Sequence, residues 1–213
     1  MNNNAWSRMF FMGCFILYAS TAVVYADTLD AAIASIENHY QGLHDLTAKV
    51  TQNNLLKSIG KTQKFEGRLW IKKPGKLRLE YTNGQIILVD GKAALFYSRK
   101  SEQVVKKTFT DFEQMNIPVA FLLGAAHIRD DFEVFQPDEK TLRLLELRPK
   151  KADAAMKKLR IQIDEAGRII GISIFDKSGN VTGLDFTDIR EDTGFEDKLF
   201  TFKAPEGTET IEQ

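Results

Sequence analysis

The spacing of apolar residues changes character along the chain. Leu29, Ile33, Ile36, Tyr40 and Leu43 recur at three- and four-residue intervals, which predicts one stripe of an amphipathic helix over about residues 28–43. After Gly42 the interval becomes two. Leu46, Ala48 and Val50 alternate with polar neighbours, as do Phe65, Gly67, Leu69 and Ile71, and then Leu77, Leu79 and Tyr81. Such alternation predicts strands with one apolar face. Asn83-Gly84 and Asp90-Gly91 are tight-hairpin signals on either side of Ile86 to Val89, and residues 93–97 and 103–109 continue the pattern. The middle differs. Asp111 to Met115 predicts a turn or two of helix, and Pro118 opens a run, Val119 to Ala126, that is apolar on every side and must be covered by protein or lipid. Strands resume over 132–135, 142–147, 159–163, 168–175 and 181–189, with turn signals at Pro137-Asp138, Glu165-Ala166-Gly167 and Ser178-Gly179-Asn180. A short last strand is expected over Leu199 to Phe202, and the polar residues from Gly207 are expected to fray. About eleven strands in sequential order argue for a large antiparallel meander or barrel.

The first 26 residues stand apart. Asn2 to Arg8 is polar with one positive charge, and Met9 to Ala26 is almost wholly apolar and ends in Val24-Tyr25-Ala26. That organisation predicts a secretory signal cleaved after Ala26, with an uncleaved anchor as the alternative. Residues 27–213 then form a single domain. Gly13-Cys14 resembles a lipidation site, but only the five residues Met9 to Gly13 separate it from Arg8, and Phe11 is bulky for such a position. Cleavage removes the only cysteine, so the mature domain builds its core without disulfides. The chain carries 29 basic and 29 acidic residues. That balance argues against nucleic acid as a partner, since phosphate binding needs a basic surface.

Convergent catalytic groups are missing from the sequence. There is no cysteine nucleophile in the mature chain, no glycine-flanked serine elbow, no phosphate-cradling loop and no zinc spacing. His39 and His44 lie five apart, where two ligands on one helix face need four, and read as polar-face or helix-end residues. His127 reads as the favourable end of the apolar run. Asp130-Asp131 and Glu191-Asp192 read as solvated turn charges. Asp176 to Asn180 lacks the ligand spacing of a calcium loop. What remains is apolar surface. Either the helices plug a barrel as its core, or they form a movable cover over an apolar cavity; periodicity leaves both open.

Several stretches carry a resemblance: Leu46-Thr47-Ala48-Lys49-Val50-Thr51-Gln52, the run Gly67 to Tyr81 with Lys73-Pro74-Gly75 at its centre, Asp90-Gly91-Lys92 with Tyr97 and Gln103-Val104, and Leu199 to Gly207. In order and spacing they resemble the LolA family of periplasmic lipoprotein carriers. The resemblance implies an unclosed antiparallel β-barrel with a helical lid over an apolar cavity that takes acyl chains. It implies lipoproteins as cargo, an inner-membrane ABC transporter that loads them and an outer-membrane acceptor that receives them. It implies a periplasmic monomer, no cofactor and no catalysis. Val50, Phe65, Leu69, Ile71, Leu77, Leu79 and Tyr81 are expected to line the acyl cavity with Phe121 and Leu122. Leu69, Ile71 and Lys73 share strand parity, so Lys73 stands at the rim of that face, and Pro74, which cannot donate to a ladder, ends the strand there. The family's arginine before the proline, which latches the lid to backbone carbonyls, is Lys73 here; aromatics common in its next strand are Leu77 and Leu79. A carrier of free glycolipid or another apolar ligand, or a sensor on the same scaffold, is the alternative.

Overall fold

A computed structural model of the protein describes residues 29–114, 121–124, 128–137, 143–151 and 156–212. The expected signal segment with Cys14, most of the apolar run after Pro118, and His127 lie outside them. Twelve strands form one sheet: β1 (Asp45–Leu56), β2 (Lys61–Lys72), β3 (Lys76–Tyr81), β4 (Gln85–Asp90), β5 (Ala93–Ser98), β6 (Gln103–Thr108), β7 (Phe132–Phe135), β8 (Leu144–Pro149), β9 (Met156–Ile163), β10 (Ile169–Asp176), β11 (Val181–Glu191) and β12 (Glu209–Glu212). Their order is β12-β6-β5-β4-β3-β2-β1-β11-β10-β9-β8-β7, so the sheet does not close: β12 and β7 are its two edges. All pairings are antiparallel except β12, which lies parallel to β6. Eleven strands fall where the alternation placed them. The twelfth uses the polar tail expected to fray.

One apolar core fills the inner face of the curled sheet. It holds Leu69, Ile71, Leu77 and Leu79 of β2 and β3, Leu145, Leu147, Leu159 and Ile161 of β8 and β9, and the apolar stripe of the helix α1 (Leu29–Gly42). The stripe on α1 packs as its period demands, with Ile33, Ile36 and Tyr40 buried. Short helices α2 (Phe109–Gln114), α3 (Phe121–Gly124) and α4 (Ile128–Asp131) add Phe112, Leu122 and Ile128 to the same core.

The outer face is not uniformly polar. Leu199 to Phe202, expected as a strand, instead begins within a 3-10 turn over Asp197–Phe200 and crosses the outside of β3 to β5 as a strap. Lys72 and Lys76 each hold Asp197 at 2.7 Å, and Arg78 Nη1 donates to the carbonyls of Leu199 (2.9 Å) and Thr201 (3.0 Å). Phe200 is buried, and Phe202 packs on Tyr97 with ring centroids 5.0 Å apart. Leu88, Tyr97 and Val104 are buried on this side, opposite in parity to the inner residues of the same strands. The pattern reads as a strand because it alternates. Arg78 takes its backbone carbonyls, so they bond to a side chain rather than to a sheet ladder.

Glu146 on β8 also faces outward, yet is only 3% exposed. Burial alone would raise its pKa, but hydrogen bonds from Lys158 (2.6 Å), Arg148 (2.8 Å) and Arg160 (3.1 Å) outweigh that and hold the carboxyl at about 2, against an ordinary 4.5. A carboxylate depressed on folding stabilises the fold above its unfolded pKa and loses that contribution as pH falls toward its folded one. Glu146→Gln is expected to cost about 1–2 kcal/mol at neutral pH, discounted for the partly exposed cations. Urea unfolding from pH 7 down to 2 should show the gap to the parent protein shrinking below about pH 4.5 and nearly closed at the acid end; a gap independent of pH would mean that lost packing, not charge, sets the cost.

Candidate functional site

The sheet register sorts the inner face into rows. Leu46, Ile71, Leu77, Val89 and Ala94 sit side by side across five strands, and Ala48, Leu69, Leu79, Ile87 and Phe96 form the next row. The first row lies in the core with α1, and so does the second as far as Leu79, while Ile87 and Phe96 are only partly buried at its edge. Further along the strands come Val50, Gly67 and Tyr81, and then Gln52 opposite Phe65. Here the cover ends. A hollow of about 510 Å³ opens over Phe65, Tyr81, Ile87, Phe96 and Val105, with Gln52, Asn54, Gln85, Ser98, Gln103 and Thr182 among its walls.

The expected cavity residues therefore divide. Phe65 and Tyr81 line the hollow, with rings in edge contact at 5.9 Å. Val50, Leu69, Ile71, Leu77, Leu79 and Leu122 do not line it: each is 3% exposed or less and belongs to the closed core. Phe121 is half-buried and meets Phe132 edge-on at 6.0 Å. The division has a simple cause. The strand residues among these share the inner face, but the apolar side chains of the helices cover only part of its length.

Gly67 is the one position in these rows without a side chain, and the packing requires it. A Cβ there would stand 2.3 Å from the carbonyl oxygen of Glu80. The space left over Gly67 lets Tyr81 reach past β2 to β1, where its Oη donates to Gln52 Oε1. Gln52 Nε2 in turn donates to Asn54 Oδ1 at 2.9 Å. Burial pushes the Tyr81 phenol well above its ordinary pKa of 10, so it stays a donor at any physiological pH. Gln52 and Asn54 were not among the expected site residues, although they share parity with Val50.

At the opposite end of the face, β2 stops at Lys72 and a turn over Lys73, Pro74 and Gly75 leads into β3. The Lys73 backbone N–H donates to the His44 carbonyl at 2.8 Å, and its Nζ donates to the carbonyl of Tyr40 in the last turn of α1. Burial lowers the pKa of this ammonium from 10.5. A cation is favoured at a helix C-terminus, where unpaired carbonyls point outward. Pro74 makes a cis bond with Lys73. Other ties hold α1 down. The Ile169 N–H donates to Tyr40 Oη at 3.3 Å, His39 meets Glu191 at 2.9 Å, and Arg129 meets Asp30 at 3.1 Å. Glu191 is thus a partner of α1 rather than a solvated turn charge. Asp192 likewise accepts from the His44 N–H at 3.0 Å. Among the described residues, no three metal-binding side chains cluster.

With this geometry in view, the relatives become informative. Residues 41–203 match the family described as outer membrane lipoprotein carrier protein LolA. The chain belongs to the LolA family. An outer-membrane lipoprotein carrier protein of Nitrosomonas europaea is 26% identical over 200 residues, covering 92% of this chain and 97% of its own length. That of Chromobacterium violaceum is 28% identical over 196 residues, covering 91% and 93%. Among solved structures, an uncharacterized conserved protein from Thermus thermophilus is similar in fold, with a TM-score of 0.52 at 12% identity, covering 86% of this chain and 98% of that one. The LolA family match spans β1 to the strap, so it includes the Lys73 turn, the closed rows and the hollow.

Proposed function

We propose that this protein is a periplasmic carrier that takes the acyl chains of lipoproteins at the inner membrane and delivers them to the outer membrane. The observation that carries this reading is one continuous apolar sheet face with two fates: a stretch sealed by α1, which a cation ties down at Tyr40, and a stretch left open as a hollow. Membership of the LolA family supports it.

The physical demand on such a carrier is double. Each acyl methylene kept from water contributes about 0.8 kcal/mol, so the chains need a covered apolar path. They must also leave. A helix whose stripe occupies the same path in the empty protein competes with the chains, and its return offsets the cost of expelling them. Loading requires a donor, read here as an inner-membrane ABC transporter, and delivery requires an outer-membrane acceptor. The protein is read as a secreted monomer, exported by the segment 1–26, and as a carrier rather than an enzyme.

The test is mass spectrometry of the protein purified from a periplasmic extract under native conditions, with transfer of a bound lipoprotein to acceptor membranes as the second readout. Co-purifying lipoprotein that moves to membranes is expected. Bound free lipid with no lipoprotein would replace this reading with that of a lipid carrier on the same scaffold.

A further inference from the structure

The walls of the hollow hold no charged side chain among the described residues. Its apolar members, Phe65, Ile86, Ile87, Phe96 and Val105, come from β2, β4, β5 and β6. Its polar members are neutral amides and hydroxyls, and three of them are already ordered. Tyr81 Oη donates to Gln52 Oε1 and Gln52 Nε2 to Asn54 Oδ1, which fixes the direction of the relay. That direction leaves the Asn54 Nδ2 hydrogens and the second Gln52 hydrogen as donors beside an apolar floor. On the next strand Thr182, which pairs with Asn54, adds a hydroxyl.

We infer that the relay Tyr81–Gln52–Asn54, with Thr182, is a subsite for the uncharged carbonyl linkage, ester or amide, at the head of an acyl chain. This rests on the acyl-carrier reading above and adds to it which chain heads are accepted. The chemistry is complementary. An ester or amide carbonyl accepts hydrogen bonds and carries no charge, so it satisfies the free amide hydrogens without needing a counter-ion. A free carboxylate or phosphate in the same place would be desolvated with no cation facing it among the described wall residues, which is costly. The relay therefore selects against chains whose head is itself charged, free fatty acids above all. The linkage of a lipid-modified polypeptide and that of a free acylglycerol share this chemistry; the first is the source that fits the carrier reading.

The test is displacement of an uncharged apolar dye from the purified protein by four probes with the same single 18-carbon chain. Mono-oleoylglycerol and an N-oleoyl dipeptide amide carry the uncharged linkage; oleate and oleyl phosphate carry a charged head in its place. The uncharged pair is expected to bind roughly tenfold tighter or more, the scale of one unpaired buried polar group. In Gln52→Leu/Asn54→Leu that preference, read as the ratio of the probes' affinities so that any change in dye affinity cancels, should disappear. Tyr81→Phe, which keeps the ring and removes the donor, should reduce it in part. Equal binding of all four probes, or a preference that survives the double substitution, overturns the subsite and leaves the carrier reading standing. Acylglycerol binding tenfold tighter than the dipeptide amide would keep the subsite and overturn the lipoprotein source. If no probe displaces the dye, both readings fall together.

Discussion

Lys73→Leu is expected to raise affinity for apolar probes while slowing transfer of cargo. The ammonium of Lys73 donates to the Tyr40 carbonyl at the end of α1. A hydrogen bond to a charged group contributes roughly 1.5–3 kcal/mol. That alone would not decide whether α1 stays down, since burying Ile33, Ile36, Tyr40 and Leu43 contributes about 1.5–3 kcal/mol each. But cargo replaces those apolar contacts with its own, so the exchange is near balance. What is left over is the latch. Losing it shifts the closed-to-open ratio by roughly ten- to a hundredfold, and probe affinity rises with the open fraction. Release slows because closure contributes less to expelling the chains. The Lys73 backbone bond to His44 persists in the variant, so the turn itself should hold. Lys73→Arg should act in the opposite sense, because a guanidinium offers more donors in a fixed fork. Hydrogen exchange in α1, dye affinity and transfer to acceptor membranes read the three consequences. Parent-like exchange and affinity in Lys73→Leu would place the latch among the other ties of α1.

Leu79→Glu should unfold the protein, and Phe65→Glu should leave it folded but unable to hold an apolar probe. The two residues share the inner face, in different rows of the register. Leu79 is fully buried in the core, with Leu69 and Ile87 beside it in the row. A carboxylate there loses the leucine's packing, a loss of about 2–5 kcal/mol even for alanine, and adds the cost of an unpaired buried acid. Against a typical stability of about 5–15 kcal/mol, little would remain. Phe65 is half-exposed in the wall of the hollow, so an acid there keeps contact with water and its cost falls on the ligand. Urea unfolding and dye binding on both variants separate the outcomes. A stable Leu79→Glu protein that merely lost binding would mean that the closed row opens readily in the empty protein.

Strand positions, their inner faces and the stripe on α1 were legible in the sequence because they are local. Successive side chains in a strand alternate faces, and a helical stripe repeats every three or four residues, whatever the rest of the chain does. Lys73 could be placed at the rim for the same reason, by its parity with Leu69 and Ile71. Which part of the inner face is sealed was not legible. Leu79 and Phe65 carry the same pattern, and only the docking of α1 tells a core residue from a wall residue. The Tyr40 carbonyl that meets Lys73 is a backbone group and leaves no mark in side-chain patterning. Glu146 finds its cations on β8 and the neighbouring β9, and Tyr81 reaches Gln52 across the bare Gly67, so both pairings exist only once the register is set. The strap over Leu199 to Phe202 alternates like a strand, but its carbonyls go to Arg78 and its aromatics to the outer face. The polar tail became β12 because the free edge of β6 offered unpaired backbone groups to whatever chain passed beside it. Local periodicity thus determined the faces, and long-range packing decided which faces were core, which were wall and which were edge.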